Sequence, residues 1–349
     1  MEEPMESPDY VRISLAAAMS LGYASGRFRR DAKLTGLNLL LTYEDGCVAR
    51  CSYCGLARDR TLARDKQTFI RVDWRAFPLD DIIERTRRLS DGLLKRACVS
   101  MITHRRAFAD MNTVIQRVHE GTSLPVSALV SPTMLSQPRA MLAETRDAGA
   151  DMAGIAVDAA APEIFDQHRH RGVGGPHRWE QFWECVEVAV DVFGRRKAGV
   201  HLIVGLGETE QQMIGSIQRA HDLGADTHLF SFFPETGTAL SEWTPPSYGQ
   251  YRRVQLARAI INAGHGRADD MSFNDAGQVV DFGVEHLDEI IEQGTAFMTS
   301  GCPGADGLVA CNRPFGNERP SNPFRNYPFA PDVEDIALIR LQLTQGLRS

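Results

Sequence analysis

The chain has 349 residues, enough for one large domain or two ordinary ones with a sizeable buried core. Hydrophobic residues make up 43 % and charged residues 24 %, the proportions of a soluble globular protein with no stretch suited to a membrane span. A formal charge of −7 without any long basic run argues against a nucleic-acid partner. The acidic start Met1-Glu-Glu-Pro-Met-Glu-Ser lacks the basic-then-apolar order of a signal peptide. Seven cysteines, three of them on one short loop, fit metal ligation in a reducing cytoplasm better than disulfides.

In chain order, residues 8–30 are expected to form a helical extension, with an apolar stripe through Val11, Leu15, Ala18 and Met19 and a stop near Gly22. A buried strand follows at 37–42, then the cysteine loop, then a charged, irregular stretch over 59–75. From Pro78 the pattern alternates: helix 79–90, strand 97–102, helix 107–119, strand 125–130, helix 137–147, strand 152–157, helix 177–193. Strand 199–204, helix 208–223, strand 227–233 and helix 248–263 complete the series. Such alternation predicts an α/β fold: a partial or complete TIM-type (β/α) barrel of parallel strands with right-handed crossovers. In a TIM-type barrel, chemistry sits at the C-terminal strand ends. Three segments are expected: a helical extension at 1–34, the barrel at 35–265, and a C-terminal extension at 266–349. That extension would hold a strand at 271–274, a helix at 286–293, a Gly- and Pro-rich loop, and a docking helix at 332–345.

The chemistry concentrates in Gly46-Cys47-Val-Ala-Arg-Cys51-Ser-Tyr53-Cys54, directly after the first barrel strand. The spacing C-x3-C-x2-C gives three thiolates on one loop, flanked by Arg50 and Arg58. Soft sulfur ligands select zinc, copper(I) or iron–sulfur clusters. Structural zinc needs a closed set of four, whereas a trio on a 4Fe–4S cluster leaves one iron open. From the spacing alone, a zinc loop stays possible.

Cys302 and Cys311 flank a turn-rich segment that cannot pack a core of its own, and cysteines in such a loop need a reason. With Cys98, they are candidate ligands of an auxiliary iron–sulfur cluster, and Ser300 or Ser100 is within sequence reach as a fourth. Cys98 reads equally well as a small core residue. Cys185 reads as a buried helix residue.

With Tyr53 before the third cysteine, the loop resembles that of the radical S-adenosylmethionine (radical SAM) enzymes, and biotin synthase relatives in particular. The resemblance implies that Cys47, Cys51 and Cys54 hold a 4Fe–4S cluster whose open iron binds S-adenosylmethionine. It also implies that Ile203-Val-Gly205-Leu-Gly207-Glu208-Thr209 contacts the adenine, that Asp158 contacts the ribose, and that His104 lies where the methionyl part is held. Asp158 reads alternatively as a helix cap. The Gly-Gly-Glu-type signal is missing at Thr103-His104-Arg105-Arg106, and Ala128 and Gly199-Val-His201 lack the auxiliary ligands of biotin synthase itself. Over about residues 35–330 the chain resembles the two-component lipoyl synthases, a pair of radical SAM enzymes. The stretches that carry this are Leu37–Leu56, Gly154–Trp183, Pro245–Arg258 and Thr299–Pro320.

That resemblance implies hydrogen abstraction from an octanoyl chain on a lysine of a lipoyl-carrier protein. Sulfur then comes from an auxiliary 4Fe–4S cluster, ferredoxin or flavodoxin supplies electrons, and a paired radical SAM enzyme adds the other sulfur. Tyr251, Arg252 and Arg253 read either as groups that steady an acidic carrier or the substrate, or as a solvated helix face. Two other readings compete. One is a rearrangement of a carbon skeleton, as in methylornithine synthase, without an auxiliary cluster. The other is a non-catalytic iron–sulfur electron carrier.

Overall fold

The computed structural model describes residues 5–62, 68–69, 71–89, 92–316 and 324–347. Strand β1 (Tyr10–Ser14) leads into the short helix α1 (Leu15–Ser20), capped by Ser14 Oγ, which accepts from Ala17 N at 3.2 Å. Strands β2 (Gly36–Leu41) and β3 (Trp74–Pro78) follow. The alternating units are then α2 (Leu79–Arg88), β4 (Arg96–Ser100), α3 (Ala107–Gly121), β5 (Val126–Val130), α4 (Pro138–Asp147) and β6 (Ala150–Asp158). After β6 come α5 (Pro162–Arg169), α6 (Trp179–Phe193), β7 (Ala198–Val204), α7 (Glu210–Leu223), β8 (Asp226–Ser231) and α8 (Tyr248–Ala263).

One eight-stranded sheet runs in the order β3-β1-β2-β4-β5-β6-β7-β8. β2 and β4 to β8 are parallel neighbours, and β1 pairs antiparallel with both β2 and β3. The sheet curls but does not close, so the fold is a partial TIM-type barrel with α/β alternation. Every residue of β2 is buried, as a strand covered on both faces requires.

The expected N-terminal helix is corrected here. Val11, Leu15 and Ala18 mimic helical spacing, yet Val11 and Ile13 also alternate with polar neighbours, and that period of two prevails because β2 and β3 offer ladders to β1. The segment expected to be a helical extension therefore gives the barrel sheet a strand, Tyr10–Ser14. The irregular stretch likewise ends in β3; residues 63–67 and 70 within it lie outside the described residues.

The C-terminal extension comprises a hairpin of β9 (Ser272–Phe273) and β10 (Val279–Asp281), then α9 (Leu287–Gln293), α10 (Arg313–Gly316) and α11 (Val333–Thr344). Its role is to cover α8. Tyr251, Arg252 and Arg253 are at most 2 % exposed, so neither a solvated face nor a docking surface describes them. Arg252 donates to Gln342 Oε1 at 2.8 Å and to the Arg325 carbonyl at 2.6 Å. Arg253 pairs with Glu210 at 2.6 Å and reaches the Leu343 carbonyl at 2.8 Å. A helix hemmed in on all sides can keep polar residues only by satisfying each of them internally.

The segment 299–313 seals the barrel from below. Thr35 Oγ1 donates to the Ala310 carbonyl at 2.6 Å, just before β2 begins, and Lys95 pairs with Asp306 at 2.9 Å, just before β4. A Cβ on Gly36 would sit 2.8 Å from Cys311 Cα, so only glycine lets the loop come this close to the strand start.

Candidate active site

The turn after β2 uses Gly46 at φ +70°, a left-handed conformation that suits glycine, and releases the chain into the cysteine loop. Backbone bonds fix that loop to three neighbours. Val48 N donates to the Thr103 carbonyl at 2.9 Å, Ser52 N to the His168 carbonyl at 3.0 Å, and Leu240 N to the Ser52 carbonyl at 3.2 Å. Within the loop, Cys54 N donates to the Cys51 carbonyl at 3.0 Å and Leu56 N to Cys54 Sγ at 3.4 Å. Ser52 Oγ also meets His168 Nδ1 at 2.8 Å, and His168 Nε2 meets the Leu206 carbonyl at 3.1 Å. His168 thus bridges the cysteine loop and the turn after β7.

Cys47, Cys51 and Cys54 line one cavity of about 220 Å³ at the C-terminal strand ends. Its wall is largely apolar, with Leu129, Val130, Ile203, Phe230 and Phe232. Its polar groups include Tyr53, Asp158 and Arg169. The Tyr53 hydroxyl donates to Asp158 Oδ2 at 2.6 Å, and Arg169 Nη1 lies 3.5 Å from the same oxygen. Asp158 sits at φ +62°, where the β6–β7 register shifts, a strained conformation for a non-glycine residue. It does not cap the next helix, whose first turn receives no side-chain cap. Burial pushes the Cys51 thiol up against the lowering pull of Arg169, and burial with the two neighbouring thiols pushes Cys54 well up. A bound cation reverses this shift, because metal binding displaces thiol protons.

Among the described residues, no three His, Cys, Asp or Glu side chains converge on a point that could hold a single metal ion. Donors of one tetrahedral ion lie within about 4 Å of one another.

Residues 42–220, more than half of the chain, match the radical SAM superfamily. The chain belongs to that superfamily. The radical SAM assignment implies a 4Fe–4S cluster and S-adenosylmethionine, and the trio with no fourth cysteine on its cavity fits the cluster. The chain is 25 % identical over 244 residues to biotin synthase 2 of Polaromonas sp., and 24 % identical over 243 residues to a biotin synthase of Saccharopolyspora erythraea. These alignments cover 66 % and 67 % of this chain, which spans 64 % and 63 % of those relatives. Among solved structures it is similar to HydG, a maturase of the FeFe-hydrogenase, with a TM-score of 0.51 and 11 % identity, over 65 % of this chain and 49 % of that one. This last likeness concerns the fold alone.

Not every predicted cofactor contact faces the radical SAM cavity. Gly205 is turned to Pro246, where a Cβ would come within 2.7 Å of the ring. The Glu208 carboxylate folds back to accept from Gly205 N at 2.6 Å and Leu206 N at 2.8 Å, bracing the turn. Ile203 presents the β7 end to the cavity in their place. His104 is stacked on Tyr43 with ring centroids 3.8 Å apart, and its Nε2 lies 3.0 Å from Asp45 Oδ1; Thr103 lines the cavity instead. Arg169 was not foreseen. It is a buried helix residue under Phe165 and Phe182, and only the fold brings it to Asp158 and Cys51.

Cys98, Cys302 and Cys311 meet around a second, water-sized void of about 10 Å³. Cys98, the middle residue of β4, is paired with Asn38 and Ser127. Burial raises all three thiols to about 11, and the charge of a neighbouring cysteine adds to each. Leu129, His201, Phe230 and Arg313 border both cavities, so the two lie one above the other inside the barrel. Ser300 Oγ accepts from Leu229 N at 3.0 Å, and Ser100 Oγ accepts from Arg313 Nη1 at 3.3 Å. Burial, with Arg258 nearby, lowers His228 to about 4. Cys185 is a buried thiol of α6, raised by burial to about 12.

Proposed function

We propose that this radical SAM protein inserts sulfur into an octanoyl chain carried on a lysine of a lipoyl-carrier protein, as one of a pair of such enzymes. The observation that carries the reading is the stacking of two cysteine trios, Cys47–Cys51–Cys54 above and Cys98–Cys302–Cys311 below, on cavities that share their walls. Cys47, Cys51 and Cys54 would hold the 4Fe–4S cluster, which would supply the electron for reductive cleavage of S-adenosylmethionine. The lower trio holds an auxiliary 4Fe–4S cluster as the sulfur source.

The chain's own residues do the rest. Leu129, Val130, Ile203, Phe230 and Phe232 form an apolar wall suited to an alkyl chain and exclude water from the reacting carbon. Asp158, held by Tyr53 and Arg169, presents a carboxylate oxygen to the ribose hydroxyls. Because the two cavities share Leu129, His201, Phe230 and Arg313, an alkyl chain in the upper one would end beside the lower trio. The lower void, at about 10 Å³, is no larger than one water in this structure. Electrons come from a ferredoxin or flavodoxin.

The test is incubation of anaerobically reconstituted protein with an octanoyllysine peptide, reductant and S-adenosylmethionine. Mass spectrometry should show sulfur added to the peptide. Deoxyadenosine without any sulfur gain defeats the lipoyl reading while sparing the superfamily, and favours a rearrangement.

A further inference from the structure

We infer that His228 is the fourth, nitrogen ligand of the metal centre held by Cys98, Cys302 and Cys311. The inference rests on the reading of that trio as cluster ligands, since three thiolates leave one position of a four-ligand set open. His228 is 6 % exposed and projects from β8 into the lower void, with Nε2 3.9 Å from Cys302 Sγ. Its other ring nitrogen, Nδ1, is buried and has no hydrogen-bond partner among the described residues. Neutral imidazole is a good donor to iron and other transition metals.

The neighbouring strand makes room for this ring. A Cβ on Gly199 would lie 2.7 Å from His228 Nε2, so β7 carries glycine where the imidazole crosses it. His201 borders the void as well, its ring against His228 and Phe230, and Asn38 Oδ1 faces Cys311 Sγ at 3.9 Å. Ser300 accepts from a backbone amide, Ser127 Oγ accepts from Arg96 Nη1 at 2.9 Å, and Asn38 Nδ2 donates to the Gly36 carbonyl at 3.2 Å. Arg313 borders the void too, and its Nη1 donates to Ser100 Oγ at 3.3 Å. Of the two imidazoles at the void, His228 is the one whose ring nitrogen approaches a sulfur of the trio among the described residues, at 3.9 Å from Cys302 Sγ.

The experiment uses the full chain grown with ¹⁵N-histidine, reconstituted anaerobically with iron and sulfide, then reduced and read by pulsed EPR. A ¹⁵N coupling is expected in the unsubstituted protein. His228→Ala should abolish the coupling and lose iron from the lower centre. His228→Cys should also abolish it while keeping the iron, which separates ligand exchange from misfolding. Absence of ¹⁵N coupling in fully loaded protein, or its persistence in His228→Cys, overturns the assignment. If Cys302→Ala leaves the iron content unchanged, there is no lower centre, and both this assignment and the sulfur-insertion reading fall.

Discussion

The Tyr53 hydroxyl lies 2.6 Å from Asp158 Oδ2, so the residue beside the third cysteine is tied to the end of β6 across the mouth of the barrel. The bond holds the cysteine loop against the carboxylate that Arg169 also approaches, at 3.5 Å. Burial and that carboxylate keep the phenol well above its ordinary pKa, so it donates at any working pH.

Removing this tie should loosen the loop without unfolding the chain. Hydrogen bonds to charged groups contribute about 1.5–3 kcal/mol, so Tyr53→Phe should cost about 2 kcal/mol in denaturant titrations and slow S-adenosylmethionine cleavage. Asp158→Ala, which leaves the buried Arg169 without its carboxylate, should cost about 3 kcal/mol or more. Equal stability of both variants and the unsubstituted protein would rule out a structural tie.

If the proposed lower centre exists, alanine at Cys98, Cys302 or Cys311 should separate it from the radical SAM centre. Iron should fall from about eight to about four per chain while deoxyadenosine formation continues. Alanine at Cys47, Cys51 or Cys54 should stop deoxyadenosine formation altogether. Loss of cofactor cleavage in the first set would mean that the lower trio serves the first reaction as well.

Glu208 should make stability depend on pH in an unusual direction. Burial raises its pKa from 4.5 to about 7, against the lowering effect of the amides of Gly205 and Leu206. The folded state therefore holds its proton more tightly than the unfolded chain between these values, so stability falls as pH rises from about 4.5 to about 7 and stays low above that. A shift of this size corresponds to about 3 kcal/mol. Denaturation of Glu208→Gln between pH 4.5 and 8 should show this fall largely removed; an unchanged profile would assign the dependence to other groups.

The buried Arg253–Glu210 pair should matter for folding rather than docking. Glu210 also accepts from Val279 N at 2.9 Å, which ties α7, α8 and the β9–β10 hairpin together. Arg253→Met leaves a buried carboxylate uncompensated and should destabilise by about 3–5 kcal/mol. Adding Glu210→Gln should recover part of that loss. A carrier-binding assay on Arg253→Met at low temperature should show no selective loss of affinity.

The sequence alone determined much of this protein. The alternation from Pro78 to α8 prescribed the parallel sheet, because strands joined by helices have few other ways to bury both faces. The spacing of Cys47, Cys51 and Cys54 fixed one centre locally, since a single loop carries all its ligands. Only the tertiary structure decided the rest. Val11 and Ile13 form a strand because β2 and β3 offer hydrogen-bonding edges, which no local pattern records. Arg252 and Arg253 look like surface residues until α11 and, for Arg252, residues 324–325 cover them. Cys98 and His228 lie on strands far from Cys302 and Cys311 in the chain, and what joins them is a loop folded under the barrel floor. Local spacing encodes contacts within one turn or loop, whereas contacts across the barrel depend on how the whole sheet curls.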